Sequence, residues 1–250
     1  MSAVSVQHEG ATGSPDRATK GGHVAISLKR TGALALPFVK VLIPGESGAG
    51  KTRACAHLDD VVILSAEEGL LSIRDQNKPY IQINSIGDLY EAYEWLTSST
   101  EAKAFNAVAI DSISEIAEVV LGEERRSGKG AKDPRAAYGE MQDKMAGVIR
   151  AFRDLSGHHV VMTAKVEKGA TDMGEVRYCA SMPGKKLTAD LPYYFDEVLP
   201  VRVHRTGETV ERVFQCRDDG IWHAKDRSGR LDMWEPYDLK ALIQKIGGGR

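Results

Sequence analysis

Gly45-Glu46-Ser47-Gly48-Ala49-Gly50-Lys51-Thr52 is the stretch around which the rest of the chain is read. It fits G-x-x-x-x-G-K-[ST], the phosphate-binding loop of nucleoside triphosphatases. Its glycines let the backbone curl so that successive N–H groups point inward at phosphate oxygens. In that pattern Lys51 reaches the β- and γ-phosphates and the Thr52 hydroxyl ligates Mg²⁺. The ligands expected at 45–53, with Arg53 closing the run, are therefore ATP and Mg²⁺. The context agrees. Phe38-Val39-Lys40-Val41-Leu42-Ile43 reads as a buried strand entering the loop. Residues 51–58 read as a helix whose N-terminal dipole adds to the anion site. Pro44 fits a strand end, where its missing N–H costs no ladder bond.

Working outward, Val61-Val62-Ile63-Leu64 is a second buried strand, ending at Ser65-Ala66-Glu67-Glu68-Gly69. A carboxylate just past a strand's C-terminal end sits where open α/β sheets place their ligands. A short helix over 70–75, an edge strand at Tyr80-Ile81-Gln82-Ile83 and an amphipathic helix over 86–97 follow. Phe105 to Ser112 is an apolar strand ending in Asp111, about sixty residues after the phosphate loop. That is the Walker B pattern, with Asp111 expected in the Mg²⁺ shell. The same aspartate would also serve as a cap for a helix over 113–121.

Length and composition set the bounds. At 250 residues the chain can form one large domain or two small ones. Hydrophobic content is 42% and net charge is -2, so any nucleic-acid surface has to be local. No apolar run reaches the roughly 20 residues that span a bilayer. The start has no signal-peptide core. Cys55, Cys179 and Cys216 are far apart without C-x-x-C spacing, which reads as free thiols in a cytoplasmic protein. His158-His159 reads as a strand start. Residues 1–23 read as a flexible tail, and 24–250 as one domain that opens with a short strand at Val24–Leu28.

Two stretches read as long polar loops. Residues 123–137 carry Arg125, Arg126, Lys129, Lys132 and Arg135 among Gly128, Gly130 and Pro134. Residues 166–190 carry Lys168, Arg177, Lys185 and Lys186, with Glu167, Asp172 and Glu175 among their acids. Such loops in a compact domain are unusual unless functional. Between them lies a long helix with Met141, Met145, Val148, Ile149, Phe152 and Leu155 on one stripe, then a buried strand over 159–164 ending at Lys165. From Phe195 the pattern shifts to short strands at 198–203, 209–214 and 220–223, read as an antiparallel extension of the sheet. A helix of about ten residues starting at Asp238 closes the chain.

The order of these motifs resembles the RecA-like ATPase core. That likeness implies an α/β fold with a mainly parallel central sheet flanked by helices and an antiparallel C-terminal extension. Leu64-Ser65-Ala66-Glu67, Ala109–Ile116, Ala137-Tyr138-Gly139-Glu140-Met141, Met182-Pro183-Gly184-Lys185 and Ala224–Gly229 resemble the compact phage ATP-binding proteins related to RecA and to single-strand annealing ATPases. The likeness covers about residues 38–245. It implies that Glu67, directly after Ala66, activates the attacking water, and that Glu68 does not. It implies that Lys225 and Arg227 match the K-x-R element that such ATPases insert into the next subunit's site. A solvated turn, with Asp226 pairing with its neighbours, accommodates the same residues. The two polar loops fall where the RecA core places its DNA loops, which assigns Arg125, Arg126, Lys129, Lys132, Arg135, Lys185 and Lys186 to nucleic acid. The chain departs from RecA in having no glutamine after Thr163-Ala164-Lys165 and no added DNA-binding domain.

Two functions are compatible with these residues. One is a homo-oligomeric ATPase acting on single-stranded DNA in phage-type recombination or annealing, with phage or host recombination or replication proteins as partners. It would work in the cytoplasm, the host's if phage-encoded, and away from membranes. The other is an ATP-driven switch or assembly ATPase acting on a protein without nucleic acid. Tyr138, just past the first loop, and Tyr178, within the second, are the only rings there, fewer than base stacking usually uses.

Overall fold

The computed structural model describes residues 38–248, except Glu68, 127–130 and 171–172. The tail over 1–23, the strand at Val24–Leu28, Glu68 and Lys129 lie outside the described residues. Eight strands form the main sheet: β1 (Lys40–Pro44), β2 (Val61–Ser65), β3 (Tyr80–Gln82), β4 (Ala107–Asp111), β5 (His159–Ala170), β6 (Val176–Ser181), β7 (Glu197–Val198) and β10 (Lys225–Asp226). Their order is β10-β7-β1-β5-β4-β2-β3, with β6 paired to β5. The six strands β7-β1-β5-β4-β2-β3 run parallel, and β3 is an edge as expected.

Period-2 alternation divides the core between the two faces of this sheet. Leu42, Leu64, Val108, Ile110, Val160 and Met162 point to one face. There they meet α2 (Ile86–Ser98), α3 (Ile113–Arg126), α4 (Pro134–Arg153) and α5 (Lys185–Asp190). Val41, Ile43, Val61, Ile63, Ala107 and Ala109 point to the other. That side carries α1 (Lys51–Cys55), α6 (Leu239–Gly247) and a small antiparallel sheet of β8 (Val201–Thr206), β9 (Thr209–Gln215) and β11 (Trp234–Pro236). Ala107 and Ala109 share the second cluster with Ala54 and Cys55, and their small side chains leave room for α1 against β4. All six residues of the Met141 stripe are buried. Asp238 caps α6 by accepting the Ala241 N–H, and Gly248 ends it at φ 77°.

Three expectations are corrected. The expected antiparallel C-terminal strands are present, but of them only β10 joins the main sheet. β7 joins it parallel to β1, β8, β9 and β11 form their own sheet, and 220–223 makes one bridge to Tyr178. The stretch 123–137 is not a loop throughout. α3 runs on to Arg126, and α4 starts at Pro134, which occupies a first-turn position where its missing N–H has no helical partner. The Asp133 carboxylate caps α4 by accepting the Arg135 N–H. The stretch 166–190 is mostly regular as well: β5 continues through Lys165 into a hairpin with β6, and α5 follows. Among the described residues no helix is long and apolar enough to cross a membrane.

Candidate active site

Strand register assembles the site. Pro44 pairs with Ala164, Ile110 with Met162 and Ser65 with Asp111. The C-terminal ends of β1, β5, β4 and β2 therefore form one rim. The phosphate loop leaves β1 at this rim, and the Gly45 N–H donates to the Ala164 carbonyl at 3.1 Å. Gly48 and Gly50 take φ values of 74° and 112°, in the left-handed region glycine tolerates. Gly50 also allows a close approach, since a Cβ there would lie 2.6 Å from the Tyr237 hydroxyl.

Eight expected residues meet in a cleft of about 410 Å³: Ser47, Gly48, Gly50, Lys51, Thr52, Arg53, Glu67 and Asp111 line it together with Gly69, Ser72 and Arg212. The Thr52 hydroxyl donates to Asp111 Oδ2 at 2.6 Å. The Thr163 hydroxyl donates to Asp111 Oδ1 from β5. The Ser112 hydroxyl donates to Glu67 Oε1 at 3.1 Å and so orients that carboxylate. Lys51 donates to the Gly45 carbonyl at 2.9 Å and the Glu46 carbonyl at 3.0 Å. Burial lowers the Lys51 pKa, while Asp111 and Glu67 act in the opposite sense.

This donor set fits a magnesium nucleotide. The cleft has room for a polyphosphate chain, the loop supplies a lysine, and a hydroxyl and a carboxylate stand together for a hard cation. Thr163 and Arg212 were missed by sequence reasoning. Thr163 carries no motif, and Arg212 reaches the loop only through the tertiary fold.

Lys165 sits at the same rim. It pairs with Glu115, which raises its pKa, and nearby Glu67 adds to that rise. Its N–H donates to the Ser114 hydroxyl at 2.9 Å, and that hydroxyl donates to the Ser181 carbonyl at 2.6 Å.

Lys225 and Arg227 lie elsewhere, on the edge strand beyond β7, and neither lines the cleft of its own chain. Lys225 donates to the carbonyls of Pro192 at 3.0 Å and Phe195 at 2.6 Å. Arg227 pairs with Asp196 at 2.9 Å, and its side chain is 57% exposed. Asp226 shapes the turn that follows, accepting from the Ser228 hydroxyl and from the N–H groups of Gly229 and Leu231.

The expected nucleic-acid residues occupy helix ends. Arg125 and Arg126 form the last turn of α3, Lys132 precedes α4, Arg135 opens it, and Lys185 and Lys186 open α5. All six are exposed. A Cβ at Gly184 would meet Gln142 of α4, so the start of α5 lies two turns along α4 from Arg135, about 10 Å. The two rings are engaged inside the chain. Arg125 donates to the Tyr138 hydroxyl at 3.0 Å and lies over its ring, and Tyr178 stacks on Trp222 at 4.6 Å between centroids.

A family model described as an AAA domain (AAA_24) matches residues 38–228. Among solved structures, a KaiC-like protein from the hyperthermophilic archaeon Pyrococcus horikoshii is 12% identical, covering 70% of this chain and 76% of its own, with a TM-score of 0.37. The flagellar accessory protein FlaH from Methanocaldococcus jannaschii is 10% identical, covering 71% of this chain and 76% of its own, with a TM-score of 0.39. Likenesses this distant carry no argument about mechanism. No curated protein matches the sequence.

Proposed function

Because the chain belongs to the AAA domain family, whose members are nucleotide-binding ATPases, we propose that it binds ATP with Mg²⁺ at 45–53, hydrolyses it with Glu67 as base, and works on single-stranded DNA in phage-type recombination or annealing. The observation that supports the chemistry is the bonded set Thr52–Asp111–Thr163 beside Lys51 and Glu67 on one rim. Lys51 exchanges its two loop carbonyls for phosphate oxygens. The Ser112 hydroxyl holds one oxygen of Glu67, leaving the other to accept a proton from the attacking water. Thr52 and Asp111 would hold Mg²⁺, which neutralises charge on the terminal phosphates when bound.

Lys225 and Arg227 are assigned to the neighbouring subunit's site in a homo-oligomer. Their distance from their own cleft supports that reading, as does the exposure of Arg227. The DNA reading is supported by six exposed cations at the ends of α3, α4 and α5 on a chain of net charge -2. The engagement of Tyr138 and Tyr178 within the chain favours the second reading, a switch acting on a protein partner. Fluorescence anisotropy at low salt with an ATP analogue decides between them. Binding of a single-stranded oligonucleotide with a log–log salt slope of about -0.7 per phosphate contact supports the DNA reading. No binding at micromolar protein supports the protein partner.

A further inference from the structure

Arg212 reaches the phosphate loop from β9, 163 residues away in sequence, and its Nε donates to the Ala49 carbonyl at 2.9 Å. Beside it, the Tyr237 hydroxyl donates to the Gly50 carbonyl. The approach depends on Gly50, where a Cβ would stand 3.2 Å from both Cδ and Nε of Arg212. The Nε bond spends one of the guanidinium's five N–H donors on the loop and leaves the four on its two terminal nitrogens, and Arg212 lines the cleft. Among the described residues those terminal nitrogens have no acceptor. The same cleft holds two more cations, Lys51 and Arg53, while Asp111 already accepts from two hydroxyls and Glu67 from one. Three cations against two carboxylates lining one cleft favour an anionic ligand, and a planar fork suits phosphate oxygens.

We infer that Arg212 is a phosphate ligand of the bound nucleotide, supplied in cis and distinct from Lys225 and Arg227. This rests on the nucleotide reading of the cleft. It makes the C-terminal sheet part of the nucleotide site, so that one chain holds nucleotide with its own arginine before any neighbour contributes. A lysine cannot hold the Ala49 carbonyl and a phosphate at once with the same fixed geometry.

The test is calorimetric affinity for ADP and for a non-hydrolysable ATP analogue in the full chain and in Arg212→Ala, Arg212→Gln, Tyr237→Phe and Lys51→Ala. Arg212→Ala and Arg212→Gln weaken both nucleotides by roughly ten- to a hundredfold, the worth of a hydrogen bond to a charged group. Arg212→Gln keeps most of the side chain's bulk and decides the matter if the alanine variant does not fold. Tyr237→Phe removes the loop's other support and costs several-fold less. Wild-type affinity in both Arg212 variants, with binding lost in Lys51→Ala, overturns the inference and leaves the site standing. Wild-type affinity in Lys51→Ala as well overturns the site itself. Equal losses in Tyr237→Phe and Arg212→Ala assign Arg212 to loop support and overturn the phosphate contact.

Discussion

Lys51 and Lys225 both donate to a pair of backbone carbonyls, yet the two regions differ in what those carbonyls belong to. The acceptors of Lys51 are Gly45, which is buried, and Glu46, which is exposed, in the loop that borders the cleft. The acceptors of Lys225 are Pro192 and Phe195, both buried, at the turn that leads into β7. The first lysine can exchange its partners for phosphate oxygens without disturbing the core. The second anchors an edge strand. The side chain of Arg227, two residues on, makes a largely exposed ion pair with Asp196, a class of contact worth about 1 kcal/mol or less. Within Lys225-Asp226-Arg227, Arg227 is therefore the more loosely held cation, and Lys225 carries a structural share beside the role its motif implies.

The largest expected effect lies at the cleft. Lys51→Ala lowers nucleotide affinity by roughly a hundredfold or more, since the fixed cation at the β- and γ-phosphates is gone. Unchanged calorimetric affinity would remove the site from this rim. Glu67→Gln keeps nucleotide bound and slows hydrolysis by about a hundredfold, the lower end of what a positioned base contributes. A single-turnover assay reads this directly, and wild-type turnover transfers the role of base to another carboxylate.

The edge strand gives the next test. Mixing inactive Arg227→Ala with inactive Lys51→Ala restores activity at about a quarter of the interfaces in a randomly mixed assembly. Lys225→Ala lowers the thermal midpoint while Arg227→Ala leaves it nearly unchanged. If both variants unfold at the wild-type temperature, the contrast between anchored and exposed cations fails.

The smallest effect is a pH slope at the same edge. Glu197 is buried opposite Asp226, one of its oxygens has no hydrogen-bond partner, and burial, with Asp226 beside it, pushes its pKa to about 8. A raised carboxyl pKa favours the folded state while the group keeps its proton. That stability is complete below the ordinary value of 4.5 and is lost as pH rises through about 8. Between pH 6 and 9 the wild-type midpoint falls by several degrees more than that of Glu197→Gln. Parallel curves for the two proteins would show that Glu197 does not titrate in this window.

How far the sequence disclosed all this depends on the range of each signal. The β1–loop–α1 unit was legible because its glycines, lysine and threonine are contiguous and flanked by an apolar strand. Helix α4 was legible from its stripe of buried residues. The ends of α3 and α4 were not. Glu123, Glu124, Arg125 and Arg126 add no apolar face, and Pro134 reads as a break until Asp133 is recognised as a cap. The outer half of β5 was missed because Lys165–Ala170 is largely solvent-facing, so no alternation marks it. Thr163, Arg212 and Tyr237 gave no local sign. Their roles come from register and from chain folding over separations of 52 to 187 residues.

β5 itself has a mechanical consequence. Its first half is clamped between β1 and β4, and its second half leaves the sheet beside the nucleotide rim, stiffened by β6. At about 3.3 Å per residue, the six residues after Ala164 make a beam of about 20 Å. Ser114 fixes the foot of this beam to α3, and Tyr178 joins its outer strand to Trp222, three residues before Lys225. A tilt of about 5° at the foot displaces the far end by nearly 2 Å over that length. The hairpin therefore links a foot near Glu67 to the segment leading to Arg227.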